Sequence, residues 1–191
     1  MKGKYLFIGL TILSLTLMGC TPENVVLVPK INYDQASIDL MKELTPQLEG
    51  RWNLRQVDVK YKSYNRQSEI GIYQDTTFQN LATLTVVRSS RQVYSQYFEF
   101  EGTIEYKKKI YPIKFNLLVH YGWIEKKQGP QAVLLFQYNS KVDHVVEPEE
   151  NFLEYLGLIN DNFNLEVFPD KRKMVWKGLS RGIEKIDFEK Q

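Results

Sequence analysis

From Tyr94 to Tyr106 the chain alternates: Tyr94, Phe98, Phe100, Ile104 and Tyr106 fall on even positions, and Glu99, Glu101 and Glu105 on odd ones. A period of two is the repeat of an extended strand with one face in a core, and no helix places such a series on one side. Beyond Lys107 to Lys109 the alternation resumes on odd positions with Ile113, Phe115, Leu117, Val119, Tyr121 and Trp123. The pair predicts a long antiparallel hairpin whose lysines form a solvated tip. Further strands are expected at 51–61, 68–74, 81–88, 131–139, 163–168, 172–179 and 182–189. Pro148 and Gly157 bracket a helix, with proline at the start and glycine at the end as helix geometry prefers.

The first of these strands changes phase. Trp52 and Leu54 share one face while Val57, Val59 and Tyr61 share the other, which requires a bulge or a sharp bend between them. Long one-faced antiparallel strands with a bend at the first one close on themselves more readily than they lie flat, and closure removes exposed edges. The fold class expected is therefore mainly β, an antiparallel barrel with a short N-terminal helix and one helix between late strands. The N-terminal helix is expected to begin at Gln35 under an Asp34 cap and to present Ile38, Met41 and Leu44 on one stripe. Pro46 should end it near Leu44 or Thr45.

The N-terminus carries an address. Lys2 and Lys4 precede an uncharged apolar run from Tyr5 to Met18, too short for a membrane-spanning helix of about 20 residues but sufficient for an export signal. Leu17-Met18-Gly19-Cys20 resembles the lipobox of bacterial lipoproteins, in which the cysteine sulfur receives a diacylglyceryl group and the chain is cut before it. The resemblance implies a signal peptide over 1–19, a lipidated tether over 20–33 and a folded domain over 34–191. Cys20 is the sole cysteine, so its acylation would leave no thiol for a disulfide, a metal or a nucleophile. The cell envelope is the expected location. Thr21, standing where an aspartate would favour inner-membrane retention, directs the expectation to the outer membrane in a Gram-negative cell.

Charge narrows the partners. Loss of residues 1–19 removes two lysines and no acid, so 25 basic and 23 acidic residues become 23 of each. A neutral domain without a basic–aromatic run is not built for nucleic acid. The 172 residues that remain of 191 are enough for one sizeable core.

"QLEGRWNLRQV" at 47–57 places Gly50 and Trp52 at the head of the first strand, behind a short helix. This resembles the Gly-x-Trp opening of lipocalins and of small lipocalin-like bacterial lipoproteins. It implies a calycin-type barrel whose base Trp52 closes, with a basic residue late in the chain covering that ring; Arg172 and Arg181 are the candidates. The helix near 149–157, with strands after it, departs from the lipocalin order.

No nucleophile elbow, phosphate loop or dinucleotide fingerprint occurs. His120 lies on the polar phase of its strand, and His144 beside Asp143 and Glu147 falls short of a zinc set. Glu99, Glu101 and Glu105 belong to a solvated face. No enzyme activity, metal or cofactor is expected. Phe98, Phe100, Phe115, Tyr121, Trp123, Phe136 and Tyr138 are expected to point inward, where they either fill the barrel or line a pocket. Two functions follow: binding a small apolar or amphiphilic ligand within the barrel, or contacting or inhibiting another envelope protein from the outside of a solid one.

Overall fold

The alternation becomes strand over Glu99–Tyr106 and Lys109–Val119, the two arms of the predicted hairpin. The computed structural model describes residues 30–89, 99–138, 145–168, 170 and 172–191. In order they form α1 (Tyr33–Leu48), β1 (Gly50–Val59), a 3-10 turn (Gln67–Ile70), β2 (Thr76–Gln79), β3 (Thr83–Arg88), β4 (Glu99–Tyr106) and β5 (Lys109–Val119). There follow α2 (Tyr121–Lys126), β6 (Ala132–Tyr138), α3 (Pro148–Leu156), β7 (Asn162–Val167), β8 (Lys173–Gly178) and β9 (Ile183–Lys190). From β3 to β9 each strand pairs antiparallel with the next, β3 also pairs with β1, and β9 returns to β1 from Trp52↔Lys190 to Val59↔Ile183. The result is a closed eight-stranded antiparallel barrel.

β2 is not a separate stave of the barrel but continues the β3 side of β1. β3 pairs with Gly50–Asn53 and β2 with Gln56–Val59 along the same edge of β1. The interruption at Asn80–Ala82 lies opposite the expected bend. There the register against β9 jumps from Leu54↔Phe188 to Gln56↔Asp187 and leaves Arg55 as the extra residue of a bulge. The bulge is why Trp52, Leu54, Val57 and Val59 are all buried despite their change of phase. A second shift at Asp58/Val59 passes over Glu184 and lets both Ile183 and Ile186 face inward.

Several boundaries differ from expectation. Asn32, not Asp34, caps α1, its side chain accepting from the Gln35 amide at 3.1 Å. The helix also runs through Pro46 to Leu48, because side chains and tertiary bonds hold its last turn. Thr45 Oγ1 donates to the Met41 carbonyl at 2.7 Å, Gln47 Nε2 to that of Glu43 at 3.0 Å, and Trp52 Nε1 to that of Leu48 at 2.8 Å. Residues 67–70 form a 3-10 turn in place of a strand. At the β4–β5 hairpin, Lys107 and Lys108 take positive φ of 49° and 66°, the hand a two-residue hairpin turn needs. Residues 94–98 of the expected strand lie outside the described residues.

Both ends of the barrel are stoppered. At the end where β1 begins, α1 contributes buried Leu40, Met41, Leu44 and Leu48. At the opposite end α3 and the loop after it contribute Leu153, Leu156, Leu158 and Ile159, all buried. Full burial of each such side chain is worth about 1.5–3 kcal/mol. Among the described residues no helix is long and apolar enough to cross a membrane.

Candidate functional site

Inside the barrel the aromatic rings pack against one another. Phe100 stacks on Phe115 with centroids 5.0 Å apart, and Phe115 on Phe136 at 5.9 Å. Trp176 of β8 reaches Phe115 at 6.2 Å, Phe136 at 5.7 Å, Phe163 at 5.4 Å and Phe188 at 4.6 Å. One indole thus touches rings from four other strands. None of these six side chains is more than 3% exposed. An eight-stranded barrel encloses room for its own side chains or for one small ligand, and here large rings occupy the middle.

Of the expected inward set, Phe100, Phe115 and Phe136 meet in this cluster. Tyr138 stands half-buried at the α3 end. Tyr121 and Trp123 do not line the interior. β5 stops at Val119 and the chain turns into α2, which leaves Tyr121 56% exposed and Trp123 half-buried, packed against the core from the α1 end. Their odd-phase spacing suited a strand, but two odd positions are also compatible with one turn of helix. Phe98 and His144 lie outside the described residues. His120 is half-buried at the N-cap of α2, where its side chain makes no capping bond.

Gly50 and Trp52 close the α1 end together with a residue that sequence reasoning missed. Trp52 is fully buried, and the cation over its ring is Lys190, with Nζ 5.0 Å from the centroid and 3.3 Å from the Gln47 carbonyl. Arg181 instead reaches α3, donating to the Glu154 carbonyl at 3.0 Å. The Arg172 amide bonds Asp170. A signal for Lys190 was present: Ile186 and Phe188 set the inward phase of the last strand, and Lys190 continues it.

The α3 end holds a buried carboxylate beside two tyrosines. Glu150 is 4% exposed and forms a hydrogen bond with Tyr138. Burial first, and then the charge and hydrogen bond of Glu150, push the Tyr138 phenol up to about 12. The hydroxyl of Tyr111, itself 4% exposed, has no hydrogen-bond partner among the described residues, and burial raises its pKa as well. Above them Lys109 binds Glu147 at 2.9 Å and Glu149 at 3.0 Å. These bonds hold the ammonium protonated well above its usual range and lower the Glu149 carboxyl. Phe152 stacks on Tyr106 at 5.3 Å and meets Phe78 edge-on at 6.0 Å, while the Arg66 guanidinium lies 4.1 Å over Tyr155. α3 is fastened along its length.

Two concavities lie in the wall of the barrel. One of about 450 Å³ is lined by Arg55, Phe168, Lys173, Val175, Asp187 and Glu189, and the Arg55–Glu189 ion pair at 3.2 Å spans it. Another, of about 120 Å³, lies over Lys114, Asn116, Leu135 and Gln137. Glu101 is exposed and Glu105 pairs with Arg51 at 2.9 Å, so both serve the solvated face expected of them. Among the described residues no three His, Cys, Asp or Glu side chains converge as metal ligands.

Fold and closure define a class: a closed eight-stranded antiparallel barrel, consistent with a lipocalin-like one, stoppered by a helix at each end. No family model, curated protein or solved structure matches the chain.

Proposed function

We propose that the protein is a lipid-anchored lipoprotein of the cell envelope whose barrel is a solid, non-enzymatic scaffold for contact with another envelope protein. The observation that supports this reading is the Trp176 cluster, whose rings pack across the middle of the barrel. A solid barrel acts through its exterior. The α3 end offers exposed apolar side chains for that purpose, Ile110 at 66% and Val145 at 82% exposed, with Tyr64, Tyr73, Val146 and Leu179. The Lys109 ion pairs fasten the segment bearing Val145 and Val146 to the hairpin bearing Ile110, so the three belong to one region. In a Gram-negative cell the outer membrane is the proposed site, through acyl chains on Cys20.

A second reading, ligand binding, is favoured by one observation at the same end. Among the described residues the buried Tyr111 hydroxyl has no hydrogen-bond partner, and the charge of buried Glu150 is felt there; a small polar molecule under α3 would satisfy the hydroxyl.

A photo-crosslinking residue placed at Ile110 or Val146 in the native host tests the first reading. It predicts a discrete crosslinked protein from both positions and none from Lys173 at the far end of β8. Equal crosslinking from all three, or none, contradicts it.

A further inference from the structure

The α1 end of the barrel carries a patch that the proposed function leaves unused. Tyr33 at the start of α1 meets Tyr121 at the start of α2 edge-to-face, with ring centroids 5.7 Å apart, and its hydroxyl donates to Glu125 at 2.7 Å. Ile31 and Tyr33 are each 38% exposed and Tyr121 more so. Trp123, two residues on, is half-buried and packs against the core. Lys126 and Lys127 follow, exposed and without an ion pair among the described residues. Tyrosine and tryptophan with an apolar body and a polar tip, flanked by lysines, are the side chains that settle at the headgroup level of a bilayer.

We propose that this edge, formed by the N-terminus of α1 and by α2, is a membrane-interface surface. Tyr33 and Tyr121 rest among the headgroups, and Lys126 and Lys127 pair with anionic ones. The inference rests on the reading of Cys20 as the lipid anchor. Its occupant follows from chain length: the folded body begins at Ile31, and Thr21 to Lys30 can reach only about 33 Å at 3.3 Å per residue. Ile31 itself belongs to the patch. Asp34 and Glu125 are exposed within the patch, and Asp39 and Glu43 further along α1, so the contact is an edge and not the whole outer face of that helix. This orientation turns the α3 end, with Ile110 and Val145, away from the bilayer.

The full lipidated protein in vesicles of phosphatidylethanolamine and phosphatidylglycerol provides the test. With Cys20 acylated, a cysteine introduced by Tyr121→Cys, Lys127→Cys or Ile110→Cys is the sole thiol and takes a fluorophore that brominated acyl chains quench. Quenching is expected at 121 and 127 and not at 110, reduced when phosphatidylglycerol is omitted or when Lys126→Glu and Lys127→Glu are combined with Tyr121→Cys. Lys127→Cys guards against loss of the Tyr33–Tyr121 contact. Equal quenching at all three positions, quenching at 110 alone, or none at 121 and 127 overturns the proposal. Failure of the anchor reading is seen separately: the parent protein would then label at Cys20 and leave the vesicles.

Discussion

Lys190 Nζ lies 5.0 Å from the centre of the Trp52 ring, and Gly50 makes the approach possible. At Gly50 the backbone takes a φ of 123°, and a Cβ built there would stand 2.9 Å from Lys190 Cε. The first strand, the last strand and α1 therefore meet at one indole, which also binds the Leu48 carbonyl. Barrel closure and helix docking share this one residue.

Trp52→Ala should consequently be costly, on the order of 3–5 kcal/mol for a buried aromatic truncated to alanine, out of roughly 5–15 kcal/mol that holds a domain folded. Trp123→Ala, at a half-buried site on α2, should cost clearly less. Chemical denaturation of both variants beside the parent measures the difference. A nearly neutral Trp52→Ala would remove the closing role assigned to this ring.

Gly50→Ala should lower stability by about 1–3 kcal/mol, the usual cost of forcing a side chain into backbone space that only glycine occupies readily. Lys190→Ala should cost about 0.5–1 kcal/mol through loss of the cation–ring contact. Combining the two should cost less than their sum, since Lys190→Ala removes the collision but not the strained φ. Urea unfolding midpoints of the single and double variants decide this; full additivity would mean that Gly50 and Lys190 act independently.

Alkaline titration reports on the α3 end. Folding raises the Tyr138 pKa from about 10 to about 12, so the folded state holds its proton more tightly than the unfolded chain does. The stability this contributes is fully present below about pH 10 and is lost as pH rises through about 12. Tyr111, raised by burial, and Tyr33, raised by its hydrogen bond to Glu125, act in the same direction. Tyr138→Phe should therefore flatten, without abolishing, the loss of unfolding free energy across that window. An unchanged slope would place Tyr138 in contact with solvent.

How much of this was legible depends on how local its cause is. The bulge at Arg55 could be read from two pairs of apolar residues out of phase, because a strand offers one inward face and the chain must slip to use it twice. The bracket of Pro148 and Gly157 marked α3 for the same reason: each residue satisfies one helix end by itself. α2 was not legible, since Tyr121 and Trp123 continue the alternation of β5 and the helix is set by packing at the barrel end. Nor did the sequence forecast that Trp176 would reach four other strands, a property of closure across the barrel and not of any segment. Lys190 fell between these cases. Its phase was visible, but its partner became so only with the β1–β9 register.

Cys20→Ala should abolish acyl labelling and release the protein from the membrane fraction while leaving its thermal unfolding unchanged, because no disulfide depends on that sulfur. Fractionation of the native host with labelled fatty acid checks both parts. Persistence of the variant in the membrane fraction would count against the lipid anchor.

Native mass spectrometry of the full protein, extracted from its own envelope, tests most directly whether the barrel is solid. With Phe100, Phe115, Phe136, Phe163, Trp176 and Phe188 packed across its centre, the predicted spectrum is that of the chain with its covalent acyl groups and no further mass. A small molecule retained at one per chain, and lost only when the protein unfolds, would contradict it and return the interior to a ligand.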